Sequence, residues 1–474
     1  MNIKFLSIIF CTLGSTNYVE TQATVIAGQE QCESADISFC MADDVEVTAR
    51  KEILIPAKSL KENKFNQPDG QFSYDYMAES ENLVLLWAKS FGKDPTTYSD
   101  KSRRFYPEEI LREGERFYRY YVDKLKFVDK KKSYSSRYKM IIWMYNDDET
   151  TAYGWGDEGV GMMWVRPCRI QSYPYCPLAH EMGHSFQYMV GADGARSFSG
   201  CPLVEYTSQW MLWQVYSDWT TIEQFHLDAY MDQTHYSLMN EVNMYHAPQF
   251  MEYWSNKHGL DIIARIWREA EGKEDPISAY KRLTDINQQQ FNDEIYEAAT
   301  RFITWDIPRI KTVCSSYANQ HRCKLDAVGE EWYRIAQTRC PQNYGYNAIR
   351  LNVPESGKTI SLDFEGIAGS KDFRSVNTDK AGWRYGFVAV GKNGKCVYGD
   401  SHEGRNGING TVRFKIPEET QFLWLVVTGA PTEHWDYMKT WNTLKQEKGK
   451  EAQWPYQIRL EGTSLHASVL RAKK

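Results

Sequence analysis

The sequence predicts an α+β protein in two unlike parts: a small mixed sheet with a helical lobe, followed by an all-β sandwich. Three observations predict it. A chain of 474 residues is longer than one core normally serves. As far as about Trp305, apolar residues recur at helical spacing, broken by a few short buried-strand runs. After Gly345 the pattern changes to short β-type runs separated by turn signals. Charged residues at 25% and hydrophobic residues at 42% match an ordinary folded protein. A formal net charge of −6 leaves no basic footprint, so no nucleic-acid partner is expected.

The elements follow in order. Lys4 precedes an apolar run from Phe5 to Gly14 that is patterned as a signal peptide and is too short to span a membrane. Ser15, Ala23 and Ala27 are the candidate cleavage points, and residues 1–23 are assigned to the signal. The protein is therefore expected outside the cytoplasm: secreted, periplasmic or at the cell surface. No other segment reads as an integral membrane span. Residues 24–310 form the first domain. Within it, residues 51–56 read as the start of a strand. Residues 107–125 read as a helix opened by Pro107, with Ile110, Leu111, Phe117, Tyr118 and Val122 facing inward. Residues 139–145, Lys-Met-Ile-Ile-Trp-Met-Tyr, read as a buried strand, and residues 160–165 as a short one ahead of Arg166-Pro167. From Glu205 to about Trp305 the pattern stays helical, with Trp254, Ile263, Trp267, Phe291 and Phe302 among the core residues.

Residues 311–345 contain Cys314, Cys323 and Cys340 and read as a connector. Residues 346–465 read as the sandwich, with strands at 348–353, 359–364, 384–390, 411–416, 421–427 and 456–460. Turn signals such as Pro354-Glu355-Ser356-Gly357 and Gly391-Lys392-Asn393-Gly394 separate them. The unusual composition is aromatic: 31 Tyr, 16 Trp and 20 Phe, which suit sugar stacking or peptide grooves and also fill large cores. Ten cysteines less Cys11 leave nine in the mature chain, an odd number. In an oxidising compartment, local spacing pairs Cys32 with Cys40, Cys168 with Cys176, and Cys314 with Cys323, leaving Cys201, Cys340 and Cys396.

The chemistry is concentrated in His180-Glu181-Met182-Gly183-His184. Residues four apart share a helix face, so His180 and His184 can offer two imidazole nitrogens to one metal, with Glu181 beside them as a general base. Pro177 suits the first turn of the carrying helix. Leu178, Met182, Phe186 and Met189 mark its apolar stripe, and Ala192-Asp193-Gly194 ends it. His180, His184 and Gln187 lie off the stripe. A catalytic zinc ion needs a third protein ligand. Val190 stands where a further His would complete a metzincin motif, and Asp193 belongs to the terminating turn. Glu205 opens a second apolar helix, where a buried carboxylate wants a cation. The competing reading is a first-turn Glu favoured by the helix dipole.

Two His on one helix and a Glu on the next resemble the gluzincin arrangement. More narrowly, the segment from Tyr138 to Trp267 resembles the secreted virulence and avirulence proteins of the Svx/AvrXca type from Gram-negative bacteria. Leu178 to Gln187 and Leu203-Val204-Glu205-Tyr206 carry the resemblance, with Tyr385 to Ala389 and Trp454 to Ile458 adding to it. It implies a zincin-like catalytic domain holding Zn2+ through His180, His184 and Glu205. One departure stands out: Ser208 and Gln209 occupy the places where some gluzincins carry an acidic residue that orients a ligand His.

The expected function is a secreted zinc-dependent peptidase, an endopeptidase acting on protein or glycoprotein with Glu181 as base. His246 is the chosen oxyanion donor, with Tyr245 and His235 as alternatives, and residues 160–165 are the expected edge strand for substrate pairing. Two rival readings are a glycan-recognising peptidase of mucin-like glycoproteins and a non-catalytic adhesin or binding protein on a zincin scaffold. Intact Glu181 counts against the second, since a scaffold needs ligands but no base.

Overall fold

A computed structural model describes residues 50–196, 198, 202–435 and 451–470. The signal-peptide assignment, the Cys32–Cys40 pair and Cys201 lie outside the described residues. The fold is mixed α+β. Its first sheet contains β1 (Met77–Glu79), β2 (Leu83–Trp87), β3 (Met140–Met144), β4 (Tyr153–Asp157) and β5 (Val160–Val165), in the order β1-β2-β3-β5-β4. β2, β3 and β5 are mutually parallel, and the two outer strands run antiparallel to their neighbours. β2 (Leu-Val-Leu-Leu-Trp) and β3 (Met-Ile-Ile-Trp-Met) are buried at every position, as parallel strands covered on both faces require.

Two expectations change here. The strand start at 51–56 reduces to a single bridge between Glu52 and Tyr138, because the chain turns at Pro56 into the short helix Ala57–Glu62. β5 is not an edge strand: it lies between β3 and β4. The edge is β4, Tyr-Gly-Trp-Gly-Asp, which is half-buried throughout and lacks the apolar run that marks a strand in sequence.

Two helices cover the sheet. Pro107–Arg119 continues as a π turn, Tyr120–Lys124, matching the helix predicted over 107–125. It sits close on β2: a Cβ at Gly114 would lie 2.5 Å from Leu83 Cδ1. The second, Cys176–Ala192, is hereafter the His helix, and it packs over β4 and β5. Ser185 Oγ donates to the Met162 carbonyl at 2.9 Å, and Gly161 faces the Ser185 Cβ. Leu203–Val215, the Glu helix, follows. The helical lobe continues through Gln224–Gln233, Gln249–His258, Ile262–Glu269, Pro276–Thr284 and Gln288–Phe302. The predicted core residues Trp254, Ile263, Trp267, Phe291 and Phe302 are buried there.

Two further sheets face each other. One has the order β11-β10-β14-β8, with β12 also on β10; the other has the order β13-β9-β15-β7-β6. The ranges are β6 Leu325–Gly329, β7 Trp332–Ile335, β8 Tyr346–Leu351, β9 Thr359–Gly366, β10 Gly382–Gly391, β11 Cys396–Tyr398, β12 His402–Arg405, β13 Asn409–Lys415, β14 Thr420–Gly429 and β15 Tyr456–Glu461. The β6–β7 hairpin comes from the stretch read as a connector, and β7 pairs with β15, so the sheets begin before residue 346. β10 is buried along nearly its whole length because both faces are covered. Trp383, Tyr385, Phe387 and Ala389 join the core between the sheets, whereas Val388 and Val390 join the core of the helical lobe. Arg384 closes that junction, donating to Asp293 Oδ1 and Gln289 Oε1, each at 2.6 Å.

The expected disulfides within the described residues are not formed: Cys168, Cys176, Cys314 and Cys323 are free thiols. Cys314 is buried in the helical lobe beside Thr220 Oγ1 at 3.3 Å, and Cys323 belongs to the sandwich core, so different cores hold the two. Cys168 is exposed, while Cys176 is buried in the first turn of the His helix.

Candidate metal centre

The His helix is buried at His180, Glu181, His184 and Gln187, and the Glu helix at Glu205, Ser208 and Gln209. Polar residues on these inner faces are costly unless they meet partners. The two helices can approach because residue 183 is Gly: a Cβ there would lie 2.8 Å from Ser208 Oγ and 3.2 Å from Ser208 Cα. That contact joins the helix turn between the two His to the helix turn after Glu205.

Three predicted ligands converge. His180 Nε2 and His184 Nε2 are 3.0 Å apart, and Glu205 Oε2 lies 3.1 Å from the first and 3.2 Å from the second. Among the described residues they are the one His/Cys/Asp/Glu group whose ligand atoms could hold a metal ion. Both imidazoles are turned the same way by their far nitrogens. His180 Nδ1 lies 2.9 Å from Gln209 Oε1, and His184 Nδ1 lies 3.2 Å from Gln187 Oε1 and 3.0 Å from Ser208 Oγ. An amide oxygen can only accept, so each Nδ1 carries the hydrogen and each Nε2 lone pair is left to face the common point. Ser208 and Gln209, the two residues that depart from the acidic pattern, thus do the orienting together with Gln187. The sequence shows these residues but not their partners.

The electrostatics fit a cation. Burial raises the Glu181 carboxyl above its usual range, against the pull of His180 and His184. Burial would lower His184, but the Glu205 and Glu181 charges outweigh it and raise it to about 9. Burial would likewise raise Glu205, and the two imidazoles instead hold it far below the usual carboxylate range. Two buried carboxylates thus lean on two imidazoles for positive charge, a role a divalent cation fills better. Two nitrogen donors and one oxygen donor suit zinc.

The other predicted residues separate. Asp193 stays outside the centre: it caps the end of the His helix, and its Oδ1 accepts from the Tyr134 backbone N–H at 3.0 Å. His246 turns its Nδ1 to His226 Nδ1 at 2.7 Å and is linked to His180 through His226 and Gln209. Burial lowers His246 to about 4, and burial with the neighbouring imidazoles lowers His226 to about 3, so both are neutral near pH 7. The ring beside His180 is Tyr245, with centroids 6.2 Å apart. His235 lies against Tyr236 and accepts from the Gln342 N–H through its carbonyl, at the junction with the sandwich. The edge strand β4 meets the centre at Gly154, where a Cβ would lie 1.9 Å from the Glu181 carbonyl oxygen.

Among the described residues, no helix is long and apolar enough to cross a membrane. The chain belongs to the Family of unknown function (DUF6055), whose model matches residues 45–467. No curated protein matches it. Among solved structures it is similar to the C-terminal family 22 carbohydrate-binding module of Clostridium thermocellum Xyn10B. The two share 12% identity over 30% of this chain and 77% of that one, with a TM-score of 0.18. It is also similar to the xylan-binding domain CBM22-1 of Paenibacillus barcinonensis Xyn10C, with 12% identity over 31% and 76% of the chains and a TM-score of 0.18. A functionally unknown conserved protein from Bacillus anthracis, in mutant form, shares 12% identity over 53% of this chain and 50% of its own, with a TM-score of 0.30. Likenesses this remote carry no argument about fold or activity.

Proposed function

We propose that this chain is an exported zinc-dependent peptidase, built on a zincin-like domain of the gluzincin type and related to the Svx/AvrXca proteins. One observation carries the reading: His180, His184 and Glu205 converge in a buried centre, and Glu181 stands next to His180 on the same helix. A bound zinc ion supplies a Lewis acid that acidifies water and polarises a carbonyl. Glu181 takes the proton of the attacking water and returns it to the departing amine nitrogen. Its raised carboxyl suits both halves of that exchange, since a base poised nearer neutrality can also act as an acid. Tyr245, whose ring lies beside His180, is better placed than His246 to donate to the carbonyl oxygen as charge develops. Main-chain pairing of substrate moves from β5 to β4, the edge of the sheet, whose Gly154 lies against the Glu181 backbone.

A non-catalytic scaffold would keep the three ligands but gain nothing from a buried Glu181, which costs stability when unpaired. The test is metal analysis of the mature protein beside digestion of a peptide library and a glycoprotein panel, with and without chelator. About one zinc per chain and chelator-sensitive cleavage are expected. Absence of zinc after reconstitution would overturn the enzymatic reading. Cleavage confined to glycosylated substrates would assign the glycoprotein form of it.

A further inference from the structure

Gln209 is buried on the Glu helix, one helix turn beyond Glu205, and its amide makes contacts of two kinds. Oε1 lies 2.9 Å from His180 Nδ1, while Nε2 donates to the Tyr245 carbonyl at 2.9 Å and lies 3.4 Å from His226 Nε2. A backbone carbonyl only accepts, so Tyr245 O requires the NH2 end of the amide. The oxygen end must then face His180, which in turn must carry its hydrogen on Nδ1. The Tyr245 backbone therefore dictates the tautomer of His180, a ligand more than sixty positions away in the chain. A carboxylate at 209 could orient His180 equally well, but its second oxygen would face the Tyr245 carbonyl.

The comparison with His184 shows what is particular about this arrangement. Gln187 donates to the Val204 carbonyl at 2.9 Å and accepts from His184, so its amide joins only the two ligand helices to each other. Gln209 instead joins a ligand to the segment that follows Asn240, which contains the single turn Glu241–Asn243 and then Tyr245. Tyr206, also on the Glu helix, holds the start of that segment by donating to the Asn240 carbonyl at 3.2 Å.

We propose that Gln209 is a positioning residue that ties His180 to the wall carrying Tyr245, so that metal occupancy and the placement of that wall are coupled. This rests on the zinc reading above. It is tested with the full mature chain and two variants, Gln209→Met and Gln209→Glu. Zinc affinity is measured by chelator competition, and amide hydrogen exchange over residues 241–247 is followed with and without zinc. Wild type should bind zinc and slow exchange in that segment when it does. Gln209→Met, which orients nothing, should weaken zinc by about 10- to 100-fold. Gln209→Glu keeps an acceptor for His180 and should hold zinc, yet lose the zinc-dependent protection of 241–247. Unchanged affinity in Gln209→Met, or full protection in Gln209→Glu, overturns the proposal. Zinc binding by Gln209→Glu as weak as that of Gln209→Met removes the acceptor role and overturns it too. If Gln209→Met does not fold, the near-isosteric Gln209→Glu decides. A wild-type chain that binds no zinc sinks the proposed function itself, which is a different failure.

Discussion

The two ligand helices and the face that docks the sandwich both bury polar side chains, in opposite patterns. At the docking face buried charged and amide groups are closed by neighbours, and the Tyr296 hydroxyl against Gly386 is an exception. Arg384 meets Asp293 and Gln289, Asn292 donates to the Pro431 carbonyl at 2.9 Å, and His434 Nε2 lies 2.7 Å from Asp275 Oδ2. Between the ligand helices, His180, His184 and Glu205 point at one place, with Glu181 alongside, and two carboxylates share two imidazoles. Closed pairs describe an interface that is complete in itself. Convergent ligand atoms from three buried side chains describe a site that could hold a metal ion. Polar burial is thus weak evidence of function by itself, and its geometry is what discriminates.

That contrast breaks first at Glu181. Glu181→Gln keeps volume and hydrogen bonding but removes the proton acceptor, so hydrolysis is expected to fall by roughly two to four orders of magnitude. Zinc content should not change, and a fall in both together would mean that Glu181 holds the metal. At the docking face the expected effect is on stability alone. Arg384→Met removes the buried guanidinium's bonds to Asp293 and Gln289, which are exposed and can turn to water, and should cost about 1.5 kcal/mol in chemical denaturation, with zinc affinity untouched. A zinc effect from Arg384→Met would dissolve the distinction between the two regions.

Acid sharpens the contrast on the sandwich side. His235 is lowered to about 3 by burial and by Arg339; His321, lying between Trp305 and Trp424, is lowered to about 3 by burial. Both are neutral in the folded protein, whereas in the unfolded chain they titrate near 6.5. Their contribution is therefore complete above about pH 6.5 and is lost as pH falls below it toward 3, at about 1.4 kcal/mol per pH unit for each. Denaturant melts of metal-free protein between pH 7 and 4 should show this fall, to which His226 and His246, lowered to about 3 and about 4 by burial, add in the same direction. His321→Gln should flatten part of it, and an unchanged slope would mean that His321 is already protonated in the folded state.

Much of this was legible in the sequence, unevenly. The His helix and the Glu helix stand where spacing placed them, because Leu178, Met182, Phe186 and Met189 fix the buried stripe and leave the ligands off it. Six of the sandwich strands are readable as short β-type runs set off by turn signals. Other strands carry no such signal: β4 alternates glycine with half-buried Tyr153, Trp155 and Asp157, and the β6–β7 hairpin is mostly half-buried or exposed. β2 is five apolar residues, Leu-Val-Leu-Leu-Trp, a run too short to tell from a buried helix segment by periodicity alone. At the centre, Gly183 looks like an ordinary helix residue until Ser208 is seen against it. Gln187 and Gln209 look like surface amides until their two ends are seen to face unlike partners. In sequence, His246 beside Tyr245 and Pro248 reads as a site residue, but in the fold its Nδ1 faces His226.

The smallest expected effect belongs to Asp193, and it frames the decisive measurement. Asp193→Ala removes a cap on the Tyr134 N–H and should cost about 1 kcal/mol of stability without moving zinc. Glu205→Ala leaves two imidazoles, an incomplete site. Zinc stoichiometry by elemental analysis of the mature chain and these two variants tests the three-ligand centre most directly. About one zinc per chain is expected in wild type and in Asp193→Ala, with zinc lost from Glu205→Ala. Zinc retained by Glu205→Ala and shed by Asp193→Ala would contradict the centre described here.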